Sequence, residues 1–262
     1  MTAPTVPDIL ARYGLAVTGV RSTTLEWALR LWDSLGTYRD ADIQRLIELL
    51  EPRVHAAQTQ VANLTSAYML ATLLESGEEA EAAPVDVDAI LSARGVPFGQ
   101  VYRRPAVAMY TALAQGKPVD TAIRMGRNRL ESLVSTDLQI AKVRQSRASM
   151  DRSRAKYYRR VLKGPENCAK CIITSTLRYR KANLLPIHPG CDCDVEPIRG
   201  SDPPLVLDEA LLESTHEQVR AFAGIDNRTA QGYLDLIVTH QHGEIGPVLS
   251  WRNQNFTGPA DI

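Results

Sequence analysis

All four cysteines of this 262-residue chain lie in one segment, CAKCIITSTLRYRKANLLPIHPGCDCDVEPI, residues 168–198, together with one histidine. The spacing is Cys168-x2-Cys171, then sixteen residues, then His188-x2-Cys191-x-Cys193. Two thiolates two residues apart grip a tetrahedral ion from a tight turn, and a second group returning from a short excursion closes the shell. The chemistry expected is structural zinc, because side chains alone fill the shell and leave no place for a reacting water. Five candidates compete for four positions. Either His188 joins three of the cysteines, or Cys168, Cys171, Cys191 and Cys193 bind and His188 supports them from outside. Pro189 and Gly190 shape the turn that returns His188 to the cysteines. Two disulfides would also use an even number of cysteines, but they leave the histidine in register unexplained.

Other catalytic patterns fit less well. A zinc deaminase places His-x-Glu ahead of its Cys-x-x-Cys, whereas the His-x-Glu here, His242 to Glu244, follows it. The His240-x-His242 pair has no cysteine or carboxylate motif beside it and reads as a polar loop. There is no Gly-x-Ser-x-Gly elbow and no Walker loop. A serine protease leaves no such local trace, since its partners meet in space rather than in sequence.

The elements that must carry this cluster read as helix. Around RSTTLEWALRLWDSLG, Leu25, Ala28, Leu29, Trp32 and Leu35 share one face, with Thr23 and Glu26 as a capping box and Gly36 as the stop. After Asp40, Ile43, Leu46, Ile47, Leu50, Val54, Ala57, Val61, Leu64, Tyr68 and Ala71 recur at steps of three and four, with Pro52 as a kink or a new start. Residues 75–89 turn acidic and small and read as a loop. Helix resumes in AVAMYTALAQG and again from Val119. If that last helix continued to Leu162 it would be about 65 Å long, more than a compact domain covers.

The far half of this helix is strongly basic. Lys142, Arg144, Arg147, Arg152, Arg154, Lys156, Arg159, Arg160 and Lys163 face the single acid Asp151. Such an imbalance seeks counter-charge: phosphate, an acidic protein, or the acidic 75–89 loop of the chain itself. The arginines Arg144, Arg147, Arg152, Arg154, Arg159 and Arg160 are the candidate contacts to a partner or to nucleic acid. Globally the charge is neutral, with 30 basic and 30 acidic residues, so composition alone argues for neither nucleic acid nor an acidic membrane. The opening MTAPTVPDILARYG has no charged region followed by an apolar run, and no stretch approaches the roughly 18 to 20 apolar residues of a membrane span. We therefore expect synthesis in a reducing cytoplasm, where clustered cysteines more often hold metal than form disulfides.

The expected class is mainly α (α+β): a long-helix N-terminal region and a small zinc-stapled α+β C-terminal module. The expected divisions are a helical region over 1–83, a helical region with the basic helix over 84–163, the zinc knuckle over 164–200 and a tail over 201–262. LVLDEALLE and HEQVRAF read as short helices after the Gly200 to Pro204 linker, and the end, from GYLDLIV onward, mixes a brief helix with an extended stretch broken by Gly and Pro.

Cys-x-x-Cys, a stretch containing Tyr179 and Arg180, then His-Pro-x-Cys-x-Cys and a closing Pro197, resembles the signature of the Mu F-like minor head proteins of tailed bacteriophages. The matching positions are Cys168, Cys171, His188, Pro189, Cys191 and Cys193. The closing HGEIGPVLSWRNQNFTGP is similar to the tails of members from phages of actinobacteria. Many members carry arginine where this chain has Asp192, which speaks against this loop touching nucleic acid. The resemblance implies a non-enzymatic virion component in few copies, made in the bacterial cytoplasm and placed in the head interior or at the portal vertex. Its partners would be the portal protein and the major capsid protein, with packaged DNA as a further contact and no membrane. The rival readings are a capsid maturation protease, its histidine among His216, His240 and His242, and a DNA-binding assembly factor working through Lys142 to Lys163.

Overall fold

The structure is a computed structural model that describes residues 5–163, 169–185, 192–198, 200, 202–214, 220, 237–242 and 246–251. Helix α1 runs Val6–Asp33 and α2 runs Asp40–Glu75. The short α3 (Val87–Leu91) and α4 (Phe98–Tyr102) lead to α5 (Arg104–Ala114) and α6 (Val119–Asp151). Strand β1 (Tyr157–Val161) follows, then α7 (Ala169–Ser175), β2 (Arg178–Arg180) with a 3-10 turn at Lys181–Asn183, and β3 (Asp194–Ile198). These strands form an antiparallel sheet in the order β2-β1-β3. Strands β4 (Ile237–His242) and β5 (Gly246–Trp251) pair as a separate hairpin, which agrees with the extended reading of the tail. Residues 209–214 are helical, overlapping the second half of the expected LVLDEALLE element, whereas most of HEQVRAF lies outside the described residues.

Helix α1 starts sixteen residues before the expected Ser22. Thr5 caps it, accepting from the Asp8 amide while the Asp8 carboxylate accepts from the Thr5 amide, and Pro7 occupies the first turn. The Thr23 and Glu26 pair therefore lies inside a helix. Helix α2 passes through Pro52 without ending, and the proline sits on its exposed side. The expected apolar face of α2 is the buried one, from Ile43 through Leu50 and Val61 to Tyr68.

Helix α6 begins where expected but stops at Asp151, and the basic segment does not continue as helix to Leu162. Ser153 turns the chain, its hydroxyl donating to the Met150 carbonyl and its backbone bridging to Ala80. Beyond it, Tyr157, Tyr158, Arg159, Arg160 and Val161 alternate between faces with Tyr158 and Arg160 inward, the period of a strand. The boundary expected at 163/164 thus falls beside the central strand of the sheet, and 84–163 is not helical throughout.

Helix α6 is the axis of the molecule. The eleven residues 133–143 are all buried, with α1, α2, α3, α5 and the sheet packed around the helix. One apolar cluster joins Trp32, Leu46, Leu50, Tyr102, Leu130 and Leu133 at its N-terminal half. The other joins Tyr13, Tyr68, Met69 and Met150 of the helices to Tyr158, Ile173, Tyr179 and Val195 of the sheet region. The sheet is therefore not a self-contained knuckle; its inner face completes the helical core. No helix among the described residues is long and apolar enough to cross a membrane.

Close packing at the N-terminal half depends on Gly126. A Cβ there would lie 2.5 Å from Trp32 Cζ2 and 2.8 Å from the Pro105 carbonyl oxygen. Although alanine favours helix over glycine, Gly126→Ala is expected to destabilise the protein by about 1–3 kcal/mol through overpacking. Urea unfolding checks this, and unchanged or increased stability would contradict it.

Candidate metal centre

Cys171 stands in α7, which packs against β1, and Cys193 immediately precedes β3. They come from opposite halves of the motif, yet both are buried, 5% and 1% exposed, in one cluster with Leu162. Cys168, His188 and Cys191 lie outside the described residues. Among the described residues no three His, Cys, Asp or Glu side chains form a metal-holding group. Cys171 and Cys193 are buried soft donors of the kind zinc takes, two of the four that a tetrahedral site needs.

The backbone around Cys193 is fixed from α6. Gln139 Nε2 donates to the Cys193 carbonyl at 3.3 Å. Lys142 Nζ donates to the Asp192 carbonyl at 2.6 Å and to Asp194 Oδ1 at 2.9 Å. The Lys142 and Asp194 side chains are only 3% and 1% exposed. Lys163 reaches Asp194 Oδ2 at 3.6 Å and donates to the Gly14 carbonyl at 3.2 Å, so α1 joins the same network. Burial lowers the Lys163 pKa, and the attraction of Asp194 opposes that shift. Asp192 faces Arg21 at 3.8 Å, so the negative charge between the last two cysteines is matched within the chain.

The inward side chains of β1 complete the surroundings. Arg160 Nη1 donates to Cys193 Sγ at 3.8 Å, Nη2 donates to the Leu185 carbonyl, and the guanidinium lies 5.5 Å from the centre of the Tyr158 ring. Burial raises the pKa of both Tyr158 and Tyr179. Tyr158 donates its hydroxyl to the Asn183 carbonyl at 2.9 Å, which ties β1 to the turn after β2.

The basic segment is divided by the structure. Arg160 is 1% exposed and belongs to the core, so it is no surface contact for a partner or for nucleic acid. Lys142 is likewise buried. Arg144, Arg147, Arg152, Arg154 and Arg159 are exposed, and each meets an acceptor in the chain. Arg144 donates to the Ala89 and Ala93 carbonyls, both at 3.4 Å. Arg147 pairs with Asp151 at 3.9 Å, Arg152 with Glu81 at 3.8 Å, Arg154 with Glu79 at 2.9 Å and Arg159 with Glu196 at 2.8 Å. The acidic loop after α2 is therefore one source of the counter-charge that the sequence demanded.

A second buried polar group escaped the sequence reading. Asp137 of α6 accepts from Arg94 Nε at 2.6 Å and from the Tyr102 hydroxyl at 2.7 Å. Nearby, burial lowers the Arg129 pKa to about 10, with the positive charges of Arg104 and Arg94 adding to the effect. Its trace in the sequence is the polar run Ser135, Thr136, Asp137 set between the apolar Leu133, Val134 and Leu138 of α6. His216 lies outside the described residues, while His240 and His242 pair through β4 with Val248 and Gly246.

No family model, no curated protein and no solved structure matches the chain.

The two kinds of ion pair differ in weight. Lys142→Met leaves the buried Asp194 carboxylate with Lys163 at 3.6 Å as its remaining described partner and takes a donor from the part-buried Asp192 carbonyl, with an expected loss of about 3 kcal/mol or more. Arg154→Ala removes an exposed pair and should change stability by less than about 1 kcal/mol. Parallel urea titrations check the contrast, and equal effects would contradict it.

Proposed function

We propose that this chain is a non-enzymatic structural protein, a helical body whose sheet is stapled by one zinc ion, serving as a minor head protein of a tailed bacteriophage. The observation that supports it most is the burial of Cys171 and Cys193 in one cluster, from halves of the motif separated by more than twenty residues. That is the arrangement the resemblance to Mu F-like proteins requires. Zinc would be held by four of Cys168, Cys171, His188, Cys191 and Cys193, and would fix the loop between β2 and β3 without taking part in a reaction. The partners on this reading are the portal protein and the major capsid protein, in the head interior or at the portal vertex. The pairing of Arg147, Arg152, Arg154 and Arg159 with acids of the chain itself leaves less unmatched positive charge for a row of phosphates, which weighs against the DNA-binding alternative.

Cys171→Ser is expected to release the metal and to leave assembled heads without this protein. Quantitative mass spectrometry of purified heads, with this chain counted against the major capsid protein, checks the outcome. Heads that incorporate the Cys171→Ser chain at the wild-type level would contradict the proposal.

A further inference from the structure

Of the eight large hydrophobic side chains left exposed among the described residues, four belong to the hairpin of α5 and the first turns of α6: Val107, Tyr110, Val119 and Met125. On α5 the exposed positions Val107, Tyr110, Thr111 and Ala114 fall at i, i+3, i+4 and i+7, one uncharged stripe along the helix. Apolar residues exposed singly are ordinary, whereas a continuous stripe with a polar rim marks a contact surface. The stripe is also held in place from below. Ala106, Met109 and Ala112 bury the opposite face of α5, and the Pro105 carbonyl lies against Gly126 of α6. Although Tyr110 is 46% exposed, its hydroxyl donates to the Tyr38 carbonyl at 2.9 Å. An exposed aromatic anchored in this way loses little freedom when a partner covers it.

The charge around the stripe is mostly of one sign. Between Asp88 and Glu131 the single acid is Asp120, against Arg94, Arg103, Arg104, Lys117, Arg124, Arg127 and Arg129. Arg94 is matched by Asp137 and Arg127 by Asp33. Arg103 and Lys117 are exposed just beyond the two ends of α5, and Arg124 is exposed in the second turn of α6. Arg103 Nη2 donates to Gln44 Oε1 at 3.1 Å and Arg124 Nη2 to Thr121 Oγ1 at 3.0 Å, both neutral acceptors.

From this apolar stripe and its basic rim we infer that the outer face of α5 docks an acidic amphipathic helix of another protein. Aliphatic side chains one turn apart would lie on Val107, Tyr110, Thr111 and Ala114, with carboxylates reaching Arg103, Lys117 and Arg124. The inference stands apart from the zinc reading. The eleven residues of α5 give a contact about 16 Å long, enough for anchors on successive turns of a partner helix. Thr111 and Ala114 are small, which lets a second helix axis come close. A membrane fits the same face less well, because side chains as short as Val107, Thr111 and Ala114 reach little into acyl chains. A row of phosphates would leave the apolar stripe unused.

The test titrates the full-length chain into a fluorescein-labelled synthetic helical peptide and follows fluorescence anisotropy. The peptide carries leucine at i, i+3, i+4 and i+7 and glutamate beside them. Saturable binding is expected, with hydrogen-exchange protection gained on α5 and the first turns of α6. Val107→Asp should weaken binding about tenfold or more, as loss of a central apolar anchor does. Lys117→Glu, which reverses one rim charge, should weaken it about threefold. Both positions are exposed, so both variants should keep the wild-type circular dichroism. A second peptide with lysine in place of glutamate should bind the wild-type chain more weakly than the acidic one. If Val107→Asp does not fold, Lys117→Glu, in the turn beyond α5, carries the comparison. No binding of the acidic peptide, equal binding of the two peptides, or protection on another face would overturn the inference. So would wild-type affinity in whichever variant folds. Binding to vesicles of phosphatidylcholine and phosphatidylglycerol that Val107→Asp abolishes would also overturn it, in favour of a membrane surface.

Discussion

The buried pair between Lys142 and Asp194 is the constraint on which the arrangement turns. Lys142 projects from the central helix, and its ammonium holds both the Asp194 carboxylate and the Asp192 carbonyl. Together with Gln139 on the Cys193 carbonyl, it fixes three successive residues of the strand entrance to one side of α6. A slip of one residue in β3 would turn Cys193 and Val195 away from the core and Asp194 out of reach of the lysines. An apolar contact of the same size would stabilise the packing as well, but it would not specify the register. Lys163 extends the constraint to α1 through the Gly14 carbonyl, so three distant parts of the chain meet at one carboxylate.

That arrangement explains why α6 can be both polar and central. Helices buried on all sides are usually apolar all round, yet the buried face here includes Asp137, Gln139, Lys142 and Gln145. Each is answered from another element: Asp137 by Arg94 and Tyr102, Gln139 and Lys142 by the strand entrance, and Gln145 by the Ala83 carbonyl at 3.1 Å. Satisfied in this way, the polar groups set which loop and which strand lie against which turn of helix, while the aromatic and aliphatic clusters supply the burial. The stacking of Tyr13 on Tyr68 at 4.2 Å continues the same core between α1 and α2.

Periodicity made the long helices legible. The steps of three and four from Ile43 to Tyr68 mark the buried face of α2, and Pro118 marks the start of α6. The beginning of α1 was hidden because Gly14 and Gly19 interrupt its pattern. A Cβ at Gly14 would make only ordinary contact with Lys163 Cε at 3.5 Å, so packing does not demand glycine there. Strand β1 was hidden by its charge: Arg159 and Arg160 extended the basic run, and the alternation in Tyr157 to Val161 was too short to outweigh it. The motif itself announced the candidate site, but the side chains that hold it did not. Lys142, Gln139 and Arg160 carry no local signature, because their roles depend on residues 25 to 54 positions away.

On the reading proposed above, the three-stranded sheet and its two buried cysteines meet at a single ion, and the cysteines gather because that ion needs them together. Zinc analysis and K-edge X-ray absorption on the full-length protein decide the matter. About one zinc per chain is expected, with a first shell dominated by sulfur at about 2.3 Å. A protein that retains no zinc, or a shell of nitrogen and oxygen alone, would contradict it.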